Sequence, residues 1–395
     1  MKHRTIAAIG LAMFPVFVMA QSTLDQTLGS IAKNNKTLAT DRQKWEARKL
    51  EFNTGLTPVN PTIEYDYLIG TPSNAGNQTD FTISQDFDFP TAYVQKKKLA
   101  NEQSKQAEFY LTASRQDVLL EAKSVCIKLV YHNKLQNQLN RRLADAEKVQ
   151  KGFQTRLDKG DGNILDLNKA NVQLIEVRKA FQTNGSEITQ LNQKLTELNG
   201  GEAIAFNDTV YTAVPIIPPF EELEKLYEES DPDRKILEQQ KVVAEKNLSL
   251  SRALALPKLT LGYHYQGILG QTYNGIHAGT TIPLWENKNV LKQRKAEVAA
   301  SESEFQTHLN EHYFHIKHLY EDYTNLKTVL DAYESANINT SSRNRVLLNK
   351  AFALGQLSSI EYFMETAYYY NALDQFLEAE RDYQQSVAML LKYQL

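Results

Sequence analysis

NPTIEYDYLIG (residues 60–70) and LPKLTLGYHYQG (residues 256–267) share one plan: a proline, then apolar and polar side chains in alternation. Successive side chains of a strand point to opposite sides, so Ile63, Tyr65 and Tyr67 fall on one face and Thr62, Glu64 and Asp66 on the other. Each stretch is followed by a second alternating run. In FTISQDFDF the apolar set is Phe81, Ile83, Phe87 and Phe89, against Thr82, Ser84, Asp86 and Asp88. The later pair offers Leu259, Leu261, Tyr263 and Tyr265, then Ile276, Ala278, Ile282 and Leu284. Strands of this length and two-sidedness suit a membrane β-barrel with a wet lumen, although a half-buried sheet alternates in the same way. Two hairpins supply four strands, too few to close a barrel. Either the sheet packs on helices, or several chains pool their strands.

The stretches belong to a longer internal repeat. One shift places Pro61 on Pro257, Ile63 on Leu259, Tyr67 on Tyr263 and Phe109 on Phe305; a shift one residue shorter places Gly160 on Gly355, Leu165 on Ile360 and Asp166 on Glu361. Each copy reads helix, strand, strand, long helix, tight turn, helix. The first runs through helix 22–56, strands 61–69 and 79–89, helix 91–157, the turn DKGDGN and helix 164–198. The second runs through helix 219–254, strands 257–268 and 274–284, helix 287–354, the turn LGQLSS and helix 359–394. The expected organisation is a leader at 1–20, a first repeat at 21–198, a linker at 199–218 and a second repeat at 219–395. Gly200, Gly201, Pro215, Pro218 and Pro219 break the helix between the copies.

The long helices decide how the strands are buried. At 1.5 Å per residue, 91–157 makes a rod of roughly 100 Å, several times an ordinary globular helix. Val118, Ala122, Val125, Leu129, His132, Gln136, Leu139, Leu143, Ala146, Gln150, Phe153 and Leu157 line it at a spacing of about 3.5 residues, that of a coiled coil. The shorter helices, taken end to end in pairs, match a rod in length. Each copy is therefore a long helical hairpin whose return leg is broken midway. Rods packed side by side offer a sheet no compact core, whereas pooling strands and rods around an axis buries both. The product is a tube.

The remaining composition narrows the class. MKHRTIAAIGLAMFPVFVMA has a basic start at Lys2 and Arg4, an apolar run from Ile6 to Val18 and a small-residue site ending at Ala20, which predicts a secretory signal cut before Gln21. The run is short against the ~20 residues that cross a bilayer, and no later window is long and apolar enough. Cys126 is the single cysteine, so no intrachain disulfide or CxxC motif is possible and a small buried hydrophobe is expected. A net charge of −3 without a basic patch argues against nucleic acid. No phosphate loop, nucleophile elbow or dinucleotide fingerprint occurs; no catalytic residue and no cofactor are expected.

These features together resemble the TolC family of outer-membrane efflux proteins. The resemblance covers the whole mature chain and rests on the duplicated hairpins, the two first-strand stretches and the turn motifs RLDKGDGNILDLNKA and AFALGQLSSIEYFMETA. It implies a mainly α fold with a membrane β-barrel portion, in which a homotrimer forms a twelve-stranded barrel continuous with a twelve-helix periplasmic tunnel. It implies the exit duct of a tripartite, RND-type efflux system, placed in the outer membrane of a Gram-negative bacterium, most of the chain in the periplasm. A periplasmic adaptor and an inner-membrane transporter would be its partners. The chain lacks the acylated cysteine with which many relatives start, and its linker is short. A type I secretion duct for polypeptides and a non-channel coiled-coil scaffold are the alternatives.

Candidate site residues follow. HLNEHYFHIKH (308–318) holds four of the eight histidines and spells HxxEH from His308 to His312. His308, His312 and His315 share a helix face with Phe305, Leu319, Leu326 and Val329, beside a second row of Leu309, Tyr313, Ile316, Tyr320 and Tyr323. The match to a zinc-protease motif lies inside a rod, away from pocket-forming elements, so a packing seam or transient contact with a metal cation in transit is expected instead of catalysis. His318 is rotated to the edge. At the periplasmic end, which the resemblance makes the gate, Glu361 and Glu365 would form carboxylate rings if they face the axis, or serve a helix N-terminus if they do not. Gly160 and Gly355 permit the reversals, and with Leu157, Leu165, Leu354 and Leu357 they form the candidate adaptor-docking tips.

Overall fold

The computed structural model describes residues 23–336 and 342–395; the expected leader lies outside them. The first half contains α1 (Thr23–Asn34), α2 (Lys36–Phe52), β1 (Thr62–Leu68), β2 (Gln78–Phe87), α3 (Pro90–Asp158) and α4 (Ile164–Leu198). The second contains α5 (Phe220–Ser230), α6 (Pro232–Leu254), β3 (Lys258–Ile268), β4 (Gln271–Thr281), α7 (Val290–Ser335), α8 (Ser342–Ala353) and α9 (Ser359–Leu390). The 69 residues of α3 form one rod of about 100 Å. Its expected seam is inside: Ala122, Val125, Leu129, Leu139, Ala146 and Phe153 are buried, and the other seam positions are half-buried. Asn184 of α4 closes the polar part of the seam, its Oδ1 accepting from His132 Nδ1 at 2.7 Å and its Nδ2 donating to Gln136 Oε1 at 2.6 Å. Such a buried polar contact fixes register between rods.

Three expected helices are divided. Helix 22–56 breaks at Asn35, whose side chain caps α2 by accepting from Leu38 N. Helix 219–254 breaks at Asp231, because Pro232 bars its predecessor from helical geometry and itself suits a first helical position. Helix 287–354 ends at Ser335, with Ala336 as its C-cap, and α8 begins at Ser342; residues 337–341 of that expectation lie outside the described residues. At the C-terminus, α9 stops at Leu390 and a 3₁₀ turn, Lys392–Gln394, replaces the last expected turn.

The four strands form one antiparallel sheet in the order β1-β2-β3-β4. Its central pairing joins the two halves, with Ile83 opposite Tyr263 and Phe81 opposite Tyr265. Leu269 and Gly270, both at positive φ, make the tight turn between β3 and β4 that matches strand twist. Several rows cross the sheet with one character, although Asn274 ends the row of Tyr65, Phe81 and Tyr265, and Tyr273 ends that of Asp66, Asp80 and Gln266. Ile63, Ile83, Tyr263 and Ile276 align on one side; Glu64, Thr82 and His264, then Asp66, Asp80 and Gln266, align on the other. Ile282 and Leu284, expected on the last strand, lie past its end at Thr281, and Phe89 lies past β2. Outside the strand pairing they have no face to share.

The rods carry the core in segments along their length. Near the middle, Ile31, Leu119, Leu129, Leu195 and Leu198 pack with Phe206 of the linker, and the buried Cys126 joins them. Burial pushes its thiol pKa up to about 12, so it behaves as the expected small hydrophobe. Leu223, Tyr227, Ile316, Tyr323, Val387 and Leu390 form the corresponding cluster of the second half. Tyr131 of α3 meets Leu330, Leu373, Phe376 and Leu377 farther along. At the far end Phe153, Leu167 and Ala170 pack with Phe352 and Phe363. Between linker and sheet, Trp45 stacks on Tyr110 at 4.6 Å and holds α2 against α3.

Candidate functional site

The sheet is the first functional element. Its apolar rows are open to solvent in the single chain, with Ile63 at 64% and Ile276 at 88% exposure. The outer edges of β1 and β4 have no strand partner among the described residues. Exposed edges and exposed aliphatic rows in strands of seven to eleven residues are unstable in water and stable in a lipid-facing, closed barrel. No described helix is long and apolar enough to cross a membrane.

The histidine row is the second element. The α5–α6 break brings Asp231 against α7, where its Oδ2 lies 3.4 Å from His312 Nδ1 and 3.7 Å from His308 Nε2. Asp231, His308 and His312 thus converge, each offering a metal-ligating atom within 4.8 Å of the others. His315 lines the same cleft, of about 380 Å³, with Asp233 and Glu311, but its side chain is exposed. Burial lowers the His312 pKa, against the opposing pull of Asp231. His318 is exposed beside Asp322, as expected. The row continues less well: Val329 is 45% exposed and Leu330 is buried in its place, while Ile316 and Tyr323 of the neighbouring row form the true core.

The tips are the third element. Gly160 (φ 82°) and Gly355 (φ 71°) are left-handed, which side chains with a Cβ rarely adopt. Both tips close the same way: Gly160 N donates to Leu157 O and Asp161 N to Arg156 O, and Gly355 N donates to Phe352 O and Gln356 N to Ala351 O. Leu165 and Leu354 are 61% and 63% exposed. Leu157 and Leu357 are half-buried, the former against the Phe153 cluster. Ser359 Oγ donates to Asp166 Oδ2 at 3.1 Å, joining the two tips. Glu361 completes a capping box with Ser358: it accepts from Ser358 N at 2.8 Å and its own N–H donates to Ser358 Oγ at 3.2 Å. That engagement, the Ser358 backbone N–H foremost, holds its carboxyl below the usual range. Glu365, one turn on, is exposed in the same cleft as Tyr368 and Tyr369.

No family model and no curated protein sequence matches this chain. Solved structures do. A membrane protein from Pseudomonas aeruginosa is similar at a TM-score of 0.78 and 15% identity over 94% of this chain and 90% of that one. The CmeC outer-membrane channel of Campylobacter jejuni gives 0.77 and 15% over 94% and 85%. The outer-membrane protein VceC of Vibrio cholerae gives 0.73 and 12% over 94% and 95%. The fold is that of the TolC-family outer-membrane channels.

Sequence reasoning missed two features of this chain. One is Asp231, whose DP pairing marks a helix start but not a partner for histidines far along the chain. The other is a ladder of ion pairs between the halves. Arg142 binds Asp374 through both guanidinium nitrogens, at 2.8 and 2.6 Å, and lies over the Tyr370 ring. Lys134 meets Glu380 at 2.6 Å and Arg345 meets Asp145 at 2.6 Å. These charges lie on α3, α8 and α9, far apart in sequence, and no local spacing shows which of them face one another.

Proposed function

We propose that the chain is one protomer of a trimeric outer-membrane exit duct, through which a tripartite efflux system passes its cargo. The observation that carries this reading is the four-stranded sheet, unpaired at both edges and apolar on an exposed face, set on rods of about 100 Å. Three copies pairing β4 of one with β1 of the next close twelve strands, enough to enclose a lumen. The apolar rows then meet lipid and the rows of Glu64, Asp66, Asp80 and His264 line water. The duct carries no chemistry; energy comes from an inner-membrane transporter, reached through a periplasmic adaptor at the tips. Leu165 and Leu354 are the adaptor contacts best exposed for docking. Of the two expected gate carboxylates, Glu365 is free to face the lumen, whereas Glu361 serves as a helix cap.

Small organic compounds are the favoured cargo. His308 and His312 pair with Asp231 within the protomer, which leaves His315 as the one exposed member of that row of three to meet a metal cation in transit. Deleting the gene should sensitise its host to dyes and detergents, with rescue by wild type and by the His308→Ala/His312→Ala/His315→Ala variant. Sensitivity confined to copper, silver, zinc or cobalt, left unrescued by that variant, would replace organic cargo with metal. No sensitivity to either, with secretion of a polypeptide lost, would favour a secretion duct.

A further inference from the structure

The convergence of Asp231, His308 and His312 exceeds what helix packing requires. The histidines are one helical turn apart on α7, and Asp231 reaches them from a separate element at the α5–α6 break. His308 Nε2, the ring nitrogen turned toward Asp231, is buried with no hydrogen-bond partner, a costly state for a ring nitrogen in a protein interior; His312 faces the same carboxylate through Nδ1. Two ligands of a tetrahedral zinc ion lie about 3.3 Å apart, given metal–ligand bonds of about 2.0–2.1 Å. The observed 3.4 and 3.7 Å from Asp231 Oδ2 are close to that edge.

The carboxylate is also held in place. Asp231 Oδ1 accepts from Asp233 N at 3.0 Å and Oδ2 from Arg234 N at 3.2 Å, so its orientation is fixed by the start of α6 and not by the histidines. Metal ligands are commonly oriented by such outer hydrogen bonds. The adjoining cleft, with His315, Asp233 and Glu311 on its wall, has room for a fourth ligand or a water. The one cation lining it, Lys392, is turned to Asp117 at 2.7 Å.

We propose that Asp231, His308 and His312 bind one divalent transition-metal cation per protomer, with Zn²⁺ the best match, and that the ion clamps the α5–α6 kink onto α7. Two imidazoles and one carboxylate favour Zn²⁺, Co²⁺ or Ni²⁺ over Mg²⁺ and Ca²⁺, which prefer all-oxygen shells. The ion is a structural pin, distinct from any cargo, and the site belongs to one protomer. It goes beyond the duct reading, and its failure would leave conductance and efflux untouched.

The test uses full-length protein purified in detergent, stripped with EDTA and titrated with ZnCl₂ while metal content, heat of binding and melting temperature are read. Expected are about one zinc per protomer, a raised melting temperature, and no competition from millimolar Mg²⁺. Asp231→Asn, which still caps α6, and His308→Gln/His312→Gln, which keep side-chain size and polarity, should each weaken binding at least about tenfold. Circular dichroism of each variant confirms the helices. Co²⁺ in place of zinc should give visible absorption bands in wild type only. Zinc uptake that is absent, or unchanged in the folded double variant, overturns the proposal.

Discussion

Both return legs bend midway, and the two bends are closed by different chemistry. At the first, Asn35 is 4% exposed and satisfied on both sides of its amide: Oδ1 accepts from Leu38 N at 2.9 Å, and Nδ2 donates to Leu198 O at 2.7 Å. Its surroundings repeat the pattern, with Ser30 and Asn34 donating to Asn199 and Asn199 Nδ2 donating to Glu202 O. At the second, Asp231 can only accept. It caps α6 with both oxygens and turns its remaining lone pairs toward two imidazoles that keep unpartnered nitrogens. An amide makes a closed joint from its own donor and acceptor; a carboxylate leaves a joint that a cation completes. The same bend in a duplicated plan can therefore be self-sufficient in one copy and ligand-dependent in the other.

That difference can be broken most severely at Asn35. Asn35→Leu removes the cap of α2 and strands Leu198 O in the core, and should cost about 2–4 kcal/mol, read as a lowered melting temperature. A loss under about 0.5 kcal/mol would show that the first joint does not depend on its amide. Next in size is the contact that keeps the halves in register. Arg142→Met removes a bidentate pair with Asp374, whose side chain is 36% exposed and can be hydrated instead; about 1–2 kcal/mol is expected after that discount. The variant should also loosen the tip, read as faster proteolysis between α8 and α9.

Smaller still, Asp231→Asn in zinc-free protein should change stability by only a few tenths of a kcal/mol, because Asn and Asp cap helices about equally. A larger loss without metal would mean that the charge itself, through the histidines, holds the second joint. The smallest effect is expected at Glu361, which is fully exposed and whose carboxyl is held below the usual carboxylate range by the Ser358 backbone N–H and side chain. A depressed carboxyl stabilises above its unfolded pKa and loses that contribution as pH falls through the folded value. Protection factors at the start of α9, the exchange rates corrected for the intrinsic rate at each pH, should therefore fall as pH drops through the ordinary carboxylate range, and Glu361→Gln should abolish that response.

How much of this was legible follows from the range of each signal. The rod α3 and its partner α4 were readable almost to the residue, because a repeated seam and a Gly-Asp-Gly-Asn turn are local features summed over many turns. The strands were readable for the same reason, except where alternation ran on to Ile282 and Leu284 after strand pairing had ended. The second rod's seam was misphased by Val329. A 3.5-residue reading drifts about 20° per heptad against a straight helix, and Leu330 took the buried place. Asn35 carried no breaker signal, since its amide matters only beside Leu198. Asp231 carried one in Pro232, but its meeting with His308 and His312 is a tertiary event that no local spacing encodes. For Glu361 the sequence offered a helix-end role among its readings, and the Ser358 capping box is the contact in which the structure engages it.

The central claim is that three open sheets complete one another into a pore. Planar-bilayer recording of the detergent-purified protein, with its mass measured in the same preparation, tests it directly. A trimer that needs detergent and gives discrete, ion-conducting steps is expected. A monomer that stays in solution without detergent and conducts nothing would contradict it.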